Sequence, residues 1–227
     1  MEKETALQRM LETGIIGIIR ANSDEQLVDI AKALVDGGVD CIEVTMTTPN
    51  AIQGLEKIAA RFGDKVVLGC GTVLDSDSAF AAINVGAEFI VSPVLDLKVI
   101  ETVKKYEKIV LPGAYTPTEI YTAWSAGADM VKIFPATTLG PGYIKDLLGP
   151  FPMLKLTPTG GVELNTAAEW IRAGAVCLGA GSSLVTRAAL AKSDWHTITA
   201  TARQFIQTVK GTRKLISQAQ SISAANH

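Results

Sequence analysis

At 227 residues the chain is long enough for one substantial hydrophobic core, and 48% hydrophobic against 19% charged residues is the make-up of an ordinary globular fold, not a disordered or fibrous one. A formal net charge of −2 with no long block of one sign leaves no electrostatic footprint for nucleic acid, and the apolar stretch Ile15 to Ile19 is too short for a membrane span or a signal-peptide core. Two histidines, His196 and His227, and three scattered cysteines, Cys41, Cys70 and Cys177, offer no metal-ligand spacing, so the expectation is a cytoplasmic protein with reduced, buried thiols and neither metal nor cofactor.

Short β-branched apolar runs recur along the chain. After an N-terminal helix the first run, Gly14 to Arg20, ends in an arginine able to grip carboxylate or phosphate with two donors, or else to sit on a solvated rim. Ser23-Asp24-Glu25-Gln26 then reads as a capping box opening a helix that ends at Gly38-Val39. The second strand, Cys41 to Met46, carries Glu43. Period-two alternation puts Cys41, Glu43 and Thr45 on one face, and a carboxylate facing inward is costly unless paired; a plain structural ion pair is the alternative to a catalytic role. The third strand, Val66 to Val73, holds Gly71-Thr72, whose hydroxyl is a candidate donor to a substrate oxygen. Gly86-Ala87 leads into the fourth, Phe89 to Val94, with Ser92-Pro93 near its end, and the fifth, Ile109 to Tyr115, includes Pro112-Gly113. A second capping box, Thr116-Pro117-Thr118-Glu119, follows.

The sixth strand, Asp129 to Pro135, enters through Gly127-Ala128 and sets a lone ammonium, Lys132, inside the run Met130-Val131-Lys132-Ile133-Phe134-Pro135. Burial lowers a lysine pKa from about 10.4 by up to several units and leaves a neutral amine that attacks carbonyls, whereas a lysine at a strand end can also keep its head in water. The seventh strand, Met153 to Thr159, runs into Gly160-Gly161, and the eighth, Val176 to Ala180, entered through Gly174-Ala175, runs into Gly181-Ser182-Ser183.

Eight near-continuous apolar strands alternating with helices predict a parallel sheet closed into a (β/α)8 TIM barrel. The expected layout is one domain over residues 1–227, with the barrel from about 14 to 210 and a disordered tail from about 217. An open doubly wound sheet is the alternative, but the first helical turn lacks the glycine fingerprint of dinucleotide binders. In a barrel the chemistry sits at the C-terminal strand ends, and strands two and six face one another with equal parity, so Glu43 and Lys132 are expected in one cavity. The glycine loops after strands seven and eight fall where this architecture holds phosphate.

Together, Ile42-Glu43-Val44-Thr45, Gly69-Cys70-Gly71-Thr72-Val73, Val91-Ser92-Pro93, Pro112-Gly113, Val131-Lys132-Ile133-Phe134-Pro135, Pro158-Thr159-Gly160-Gly161-Val162 and Gly181-Ser182 resemble the 2-keto-3-deoxy-6-phosphogluconate (KDPG)/4-hydroxy-2-oxoglutarate (KHG) aldolase family, from about Gly14 to Val185. The resemblance implies a metal-independent class I aldolase on a (β/α)8 barrel, assembling as a homotrimer. It also implies a small, phosphorylated 2-oxo acid as substrate, with pyruvate and glyceraldehyde 3-phosphate or glyoxylate as products. Lys132 then matches the Schiff-base lysine and Glu43 the general acid/base; Thr72 and Pro93 fall around the pyruvate moiety, and Gly160, Gly161 and Ser182 toward the phosphate, with Phe134, Thr159 and Gly181 counted in the same substrate site. Thr47 stands where the gluconate branch has an arginine. The phosphogalactonate branch also lacks it and ends strand one in an arginine, as Arg20 does, yet Thr159 is similar to the gluconate branch, so the stereochemistry stays open. Two other readings remain: a non-catalytic phosphosugar-binding barrel in which Lys132 holds an anion, and a phosphate-binding epimerase, whose proton-transfer and metal residues have no counterparts here.

Overall fold

Strand and helix alternate along the chain in the computed structural model, which describes residues 1–225. In order the elements are α1 (Lys3–Thr13), β1 (Ile15–Ile19), α2 (Leu27–Asp36), β2 (Cys41–Thr45), α3 (Ala51–Phe62), β3 (Val67–Gly71), α4 (Ser76–Asn84), β4 (Phe89–Val91) and α5 (Leu97–Lys105). There follow β5 (Ile109–Leu111), β6 (Gly113–Ala114), α6 (Pro117–Ser125), β7 (Val131–Ile133), α7 (Gly140–Leu148), β8 (Leu156–Pro158), α8 (Ala167–Arg172), β9 (Leu178–Ala180), α9 (Arg187–Lys192) and α10 (Trp195–Ala225).

Every pairing is parallel. Six strands hydrogen-bond in the order β5-β4-β3-β2-β1-β9 and three in the order β6-β7-β8, which makes a curled parallel sheet in two parts. The parts meet at two places. Pro112, which has no N–H for a ladder, splits the fifth predicted strand into β5 and β6, and a single parallel bridge, Thr159 to Gly179, links the end of β8 to β9. The strands are shorter than the apolar runs that announced them, because the ladder stops where each chain turns into a loop.

The helix ends behave as the glycine repeat predicts. Gly38, Gly86, Gly127 and Gly174 all adopt left-handed backbone, with φ between +91° and +107°, where a Cβ would be strained. Of the two predicted capping boxes, Thr116 and Glu119 form theirs fully. The box at Ser23 does not form. Asp24 is drawn instead to Lys57 at 2.6 Å, and α2 begins only at Leu27 with no side-chain cap.

Strand parity divides the interior into two cores. Residues such as Ile19, Ile42, Val44, Leu68, Ile90, Val110, Val131, Ile133, Leu156 and Leu178 face the helices. Ile16, Ile18, Cys41, Val67, Phe89, Val91, Ile109, Leu111, Met130 and Cys177 face inward, and Ala6 and Met10 of α1 join them from the N-terminal mouth. An ion pair of Arg9 with Asp40 at 2.6 Å and a hydrogen bond from Thr13 to Asp40 at 2.8 Å fix α1 there. All three cysteines are free and buried, and burial pushes the thiols of Cys70 and Cys177 up to about 12. The long α10 buries Ile198, Ala202, Phe205 and Val209 against α2 and α8. It runs to Ala225 where a disordered tail was expected from about 217; residues 226 and 227 lie outside the described residues. Among the described residues no helix is long and apolar enough to cross a membrane.

Candidate active site

Glu43 and Lys132 share the inward parity of Cys41 and Met130, and both are buried, at 2% and 3% exposure. Burial is the chief influence on each. It pushes Glu43 above the usual carboxylate range, against the pull of Lys132 and Arg20, and it lowers Lys132, helped by the positive Arg20 and opposed by Glu43. Each therefore leans toward its neutral form, and each senses the other's charge. The Oε1 atom of Glu43 is buried without a hydrogen-bond partner among the described residues. An orphaned buried oxygen is costly, and a donor from a bound substrate or water is what would satisfy it. Room for that carboxylate comes from β3: a Cβ on Gly71 would lie 1.8 Å from Glu43 Oε1. A glycine is required there by close approach.

Around this pair the strand ends supply the remaining groups. The ring of Phe134, just past β7, lies with its centroid 4.8 Å from Lys132 Nζ. The same ring lines a narrow cleft of about 60 Å³ together with Arg20, Thr159, Gly160, Gly161, Gly181 and Ser182. Gly160 and Gly161 take φ of +86° and +72°, and Gly161 approaches Thr137 so closely that a Cβ would meet its Cα at 2.8 Å. Arg20, exposed just past β1, lies against Gly181, whose Cβ would meet its guanidinium at 3.1 Å. Neither this cleft nor the larger one beside it reaches Lys132 or Glu43 directly; the lysine lies behind Phe134.

Of the residues singled out from sequence, the cleft thus gathers Arg20, Phe134, Thr159, Gly160, Gly161, Gly181 and Ser182, with Lys132 joined through Phe134. Thr47, Thr72 and Pro93 line neither cleft. The Thr47 hydroxyl lies 2.8 Å from that of Thr45, which in turn donates to the Ile19 carbonyl. Thr72 has φ +58°, an uncommon and strained conformation for a β-branched residue. Pro93 is half-buried against β6, where a Cβ on Gly113 would lie 2.4 Å from its carbonyl. The structure adds Glu163 and Ser183 to the narrow cleft and Asn22 and Arg187 to the larger one. Asn22, Glu163 and Arg187 lie in loops and a short helix of which the strand pattern carried no sign, whereas Ser183 belongs to the Gly181-Ser182-Ser183 loop already singled out from sequence. Among the described residues no group of three His, Cys, Asp or Glu side chains is placed to hold a metal ion.

With this geometry in view, comparison with known proteins is specific. A family model described as KDPG and KHG aldolase matches residues 7–201. The 2-dehydro-3-deoxy-6-phosphogalactonate aldolase of Escherichia coli K12 is 35% identical over 78% of this chain and 87% of its own length. The 2-dehydro-3-deoxy-phosphogluconate aldolase of Treponema pallidum is 33% identical over 90% of this chain and 98% of its own. Among solved structures, KDPG aldolase from Legionella pneumophila, with pyruvate captured at low pH as a covalent carbinolamine, superposes with a TM-score of 0.81 at 29% identity, over 87% of this chain and 96% of that one. Match and site agree, and the chain belongs to the KDPG and KHG aldolase family.

Proposed function

We propose that this protein is a class I aldolase that cleaves a phosphorylated 4-hydroxy-2-oxo acid to pyruvate and an aldehyde, with Lys132 as nucleophile and Glu43 as general acid/base. The observation that carries this is the buried amine of Lys132, its pKa lowered, coupled in charge to the buried Glu43 carboxylate, whose Oε1 has no hydrogen-bond partner among the described residues. The neutral amine adds to the C2 ketone, and the carbinolamine loses water to an iminium. Glu43, directly or through water, takes the C4 hydroxyl proton, the C3–C4 bond breaks, and its electron pair passes into the iminium to give an enamine while the aldehyde leaves. Proton return to C3 and hydrolysis of the imine release pyruvate and free Lys132. The elevated pKa of Glu43 suits a group that must both accept and return a proton near neutrality. Phosphate falls to the cleft of Gly160, Gly161, Gly181 and Ser182, and the carboxylate end to Thr72 and Pro93.

A phosphogalactonate substrate is the second reading, supported by Arg20 at the cleft, by an uncharged Thr47, and by the 35% identity to the aldolase of that name. A retro-aldol assay offering the phosphogluconate-, phosphogalactonate- and hydroxyglutarate-derived oxo acids, with pyruvate release as readout, separates these readings. Cleavage of none of the three would leave the non-catalytic reading standing.

The two parts of the sheet are read as one eight-stranded barrel, with β5 and β6 as a single strand broken at Pro112 and the Thr159 to Gly179 bridge closing the ring. A cytoplasmic homotrimer is the expected form. Exposed Leu74 and Phe80, with Val94 and Leu97 on the neighbouring strand–helix unit, supply apolar surface suited to a subunit contact.

A further inference from the structure

Beside the narrow cleft lies a larger one of about 680 Å³, and the two share Ile18, Arg20, Gly181 and Ser182. Among the described residues the charged side chains lining the larger cleft are Arg20 and Arg187, no carboxylate lines it, and Val185 and Leu190 add apolar lining. Arg9, Arg203 and Arg213 donate to protein acceptors, as at Asp40, the Asp36 carbonyl and the Leu11 carbonyl. Arg20 and Arg187 are exposed, and among the described residues neither guanidinium has a protein acceptor. Two such forks lining one cleft offer charge and paired donors, and a phosphate matches both.

We propose that Arg187 is a specificity-determining residue that, together with Arg20, grips the phosphate end of the substrate; this rests on the aldolase reading above. Two further features point the same way. Glu163 lines the narrow cleft, and a phosphate dianion seated near a carboxylate needs more than one cation to offset the repulsion. The chain also holds Arg187 in place: Leu184 and Val185 donate to the Gly181 carbonyl, closing the turn that bears Ser182, and Thr186 caps α9 by accepting from Ala189. Arg187 thus sits five residues after Ser182 on a segment fixed at both ends.

The test is steady-state cleavage by the full chain of a phosphorylated 2-oxo sugar acid and of 4-hydroxy-2-oxoglutarate, with inorganic phosphate as competing inhibitor. Arg187→Ala is expected to raise KM for the phosphorylated substrate and Ki for phosphate by about tenfold, with kcat and the KM for hydroxyoxoglutarate moving less than about twofold. Arg187→Lys, which keeps the charge and loses the fork, is expected to recover part of the loss. Equal changes for both substrates would assign Arg187 a structural role, and an unchanged KM for the phosphorylated substrate would remove it from the site; either overturns the proposal. A wild-type enzyme with equal KM values for both substrates and no inhibition by phosphate would refute the phosphate cleft itself, a failure visible before any variant is made.

Discussion

As the proposed nucleophile, Lys132 would owe its reactivity to the position β7 gives it, inward and beside Phe134, and its neighbours would set the pH at which it works. Burial and Arg20 lower its pKa and Glu43 raises it. The rise of kcat/KM with pH as the amine deprotonates should therefore fall below the ordinary lysine value of about 10.4, with apparent values that belong to the Lys132–Glu43 pair. The signs then follow for each variant. Arg20→Ala removes a lowering influence and should move the limb to higher pH; Glu43→Gln removes a raising one and should move any residual limb, read by imine formation, to lower pH. The same depressed lysine makes the unfolded chain the stronger proton binder below its own pKa, so this contribution to stability declines as pH falls. Glu43→Gln should still form the imine but lose cleavage by on the order of 10²–10⁴; a folded Gln variant with normal turnover would make Glu43 structural. Gly71→Ala should displace that carboxylate, costing about 1–3 kcal/mol of stability by overpacking and most of the activity. The burial of Lys132 and Glu43 on inward-facing strand positions was legible in the sequence because a single charge in a β-branched run breaks its pattern. The place of Arg187 on the larger cleft was not, because a cation at the start of a short helix breaks none.

Elements were legible in kind and less so in extent. The repeat of Gly38, Gly86, Gly127 and Gly174 marked real helix ends, since left-handed backbone is a local demand that residue type reveals. Strand limits depend on partners and are not local: Pro112 ends β5 for want of an N–H, and β8 starts only at Leu156 although the apolar run begins at Met153. The two capping motifs differ because Thr116 and Glu119 flank the true start of α6, whereas α2 starts at Leu27 with Gln26, not Ser23, at its cap position. Thr116→Ala should therefore cost about 1 kcal/mol and lower Tm by roughly 2–4 °C, while Ser23→Ala should stay within about 0.5 kcal/mol. Equal losses in thermal denaturation would mean that Ser23 caps α2 after all.

Across the whole molecule, strand parity separates stability from chemistry. One core ties the strands to the helices, and the other fills the sheet's concave side from α1 upward, leaving the C-terminal strand ends to carry polar groups. The parallel order was legible because helix and strand alternate throughout; the way the two sheet parts meet was not, because it rests on one bridge and one proline. An iminium as electron sink needs no Lewis acid, so a chelator should leave cleavage unchanged, and a loss restored by added metal would contradict the lysine chemistry. The most direct measurement is borohydride reduction in the presence of pyruvate, followed by peptide mass spectrometry. One pyruvate-derived adduct is expected, on Lys132, and none in Lys132→Ala; an adduct that persists in that variant, or labelling confined to exposed lysines, would contradict the Schiff-base chemistry.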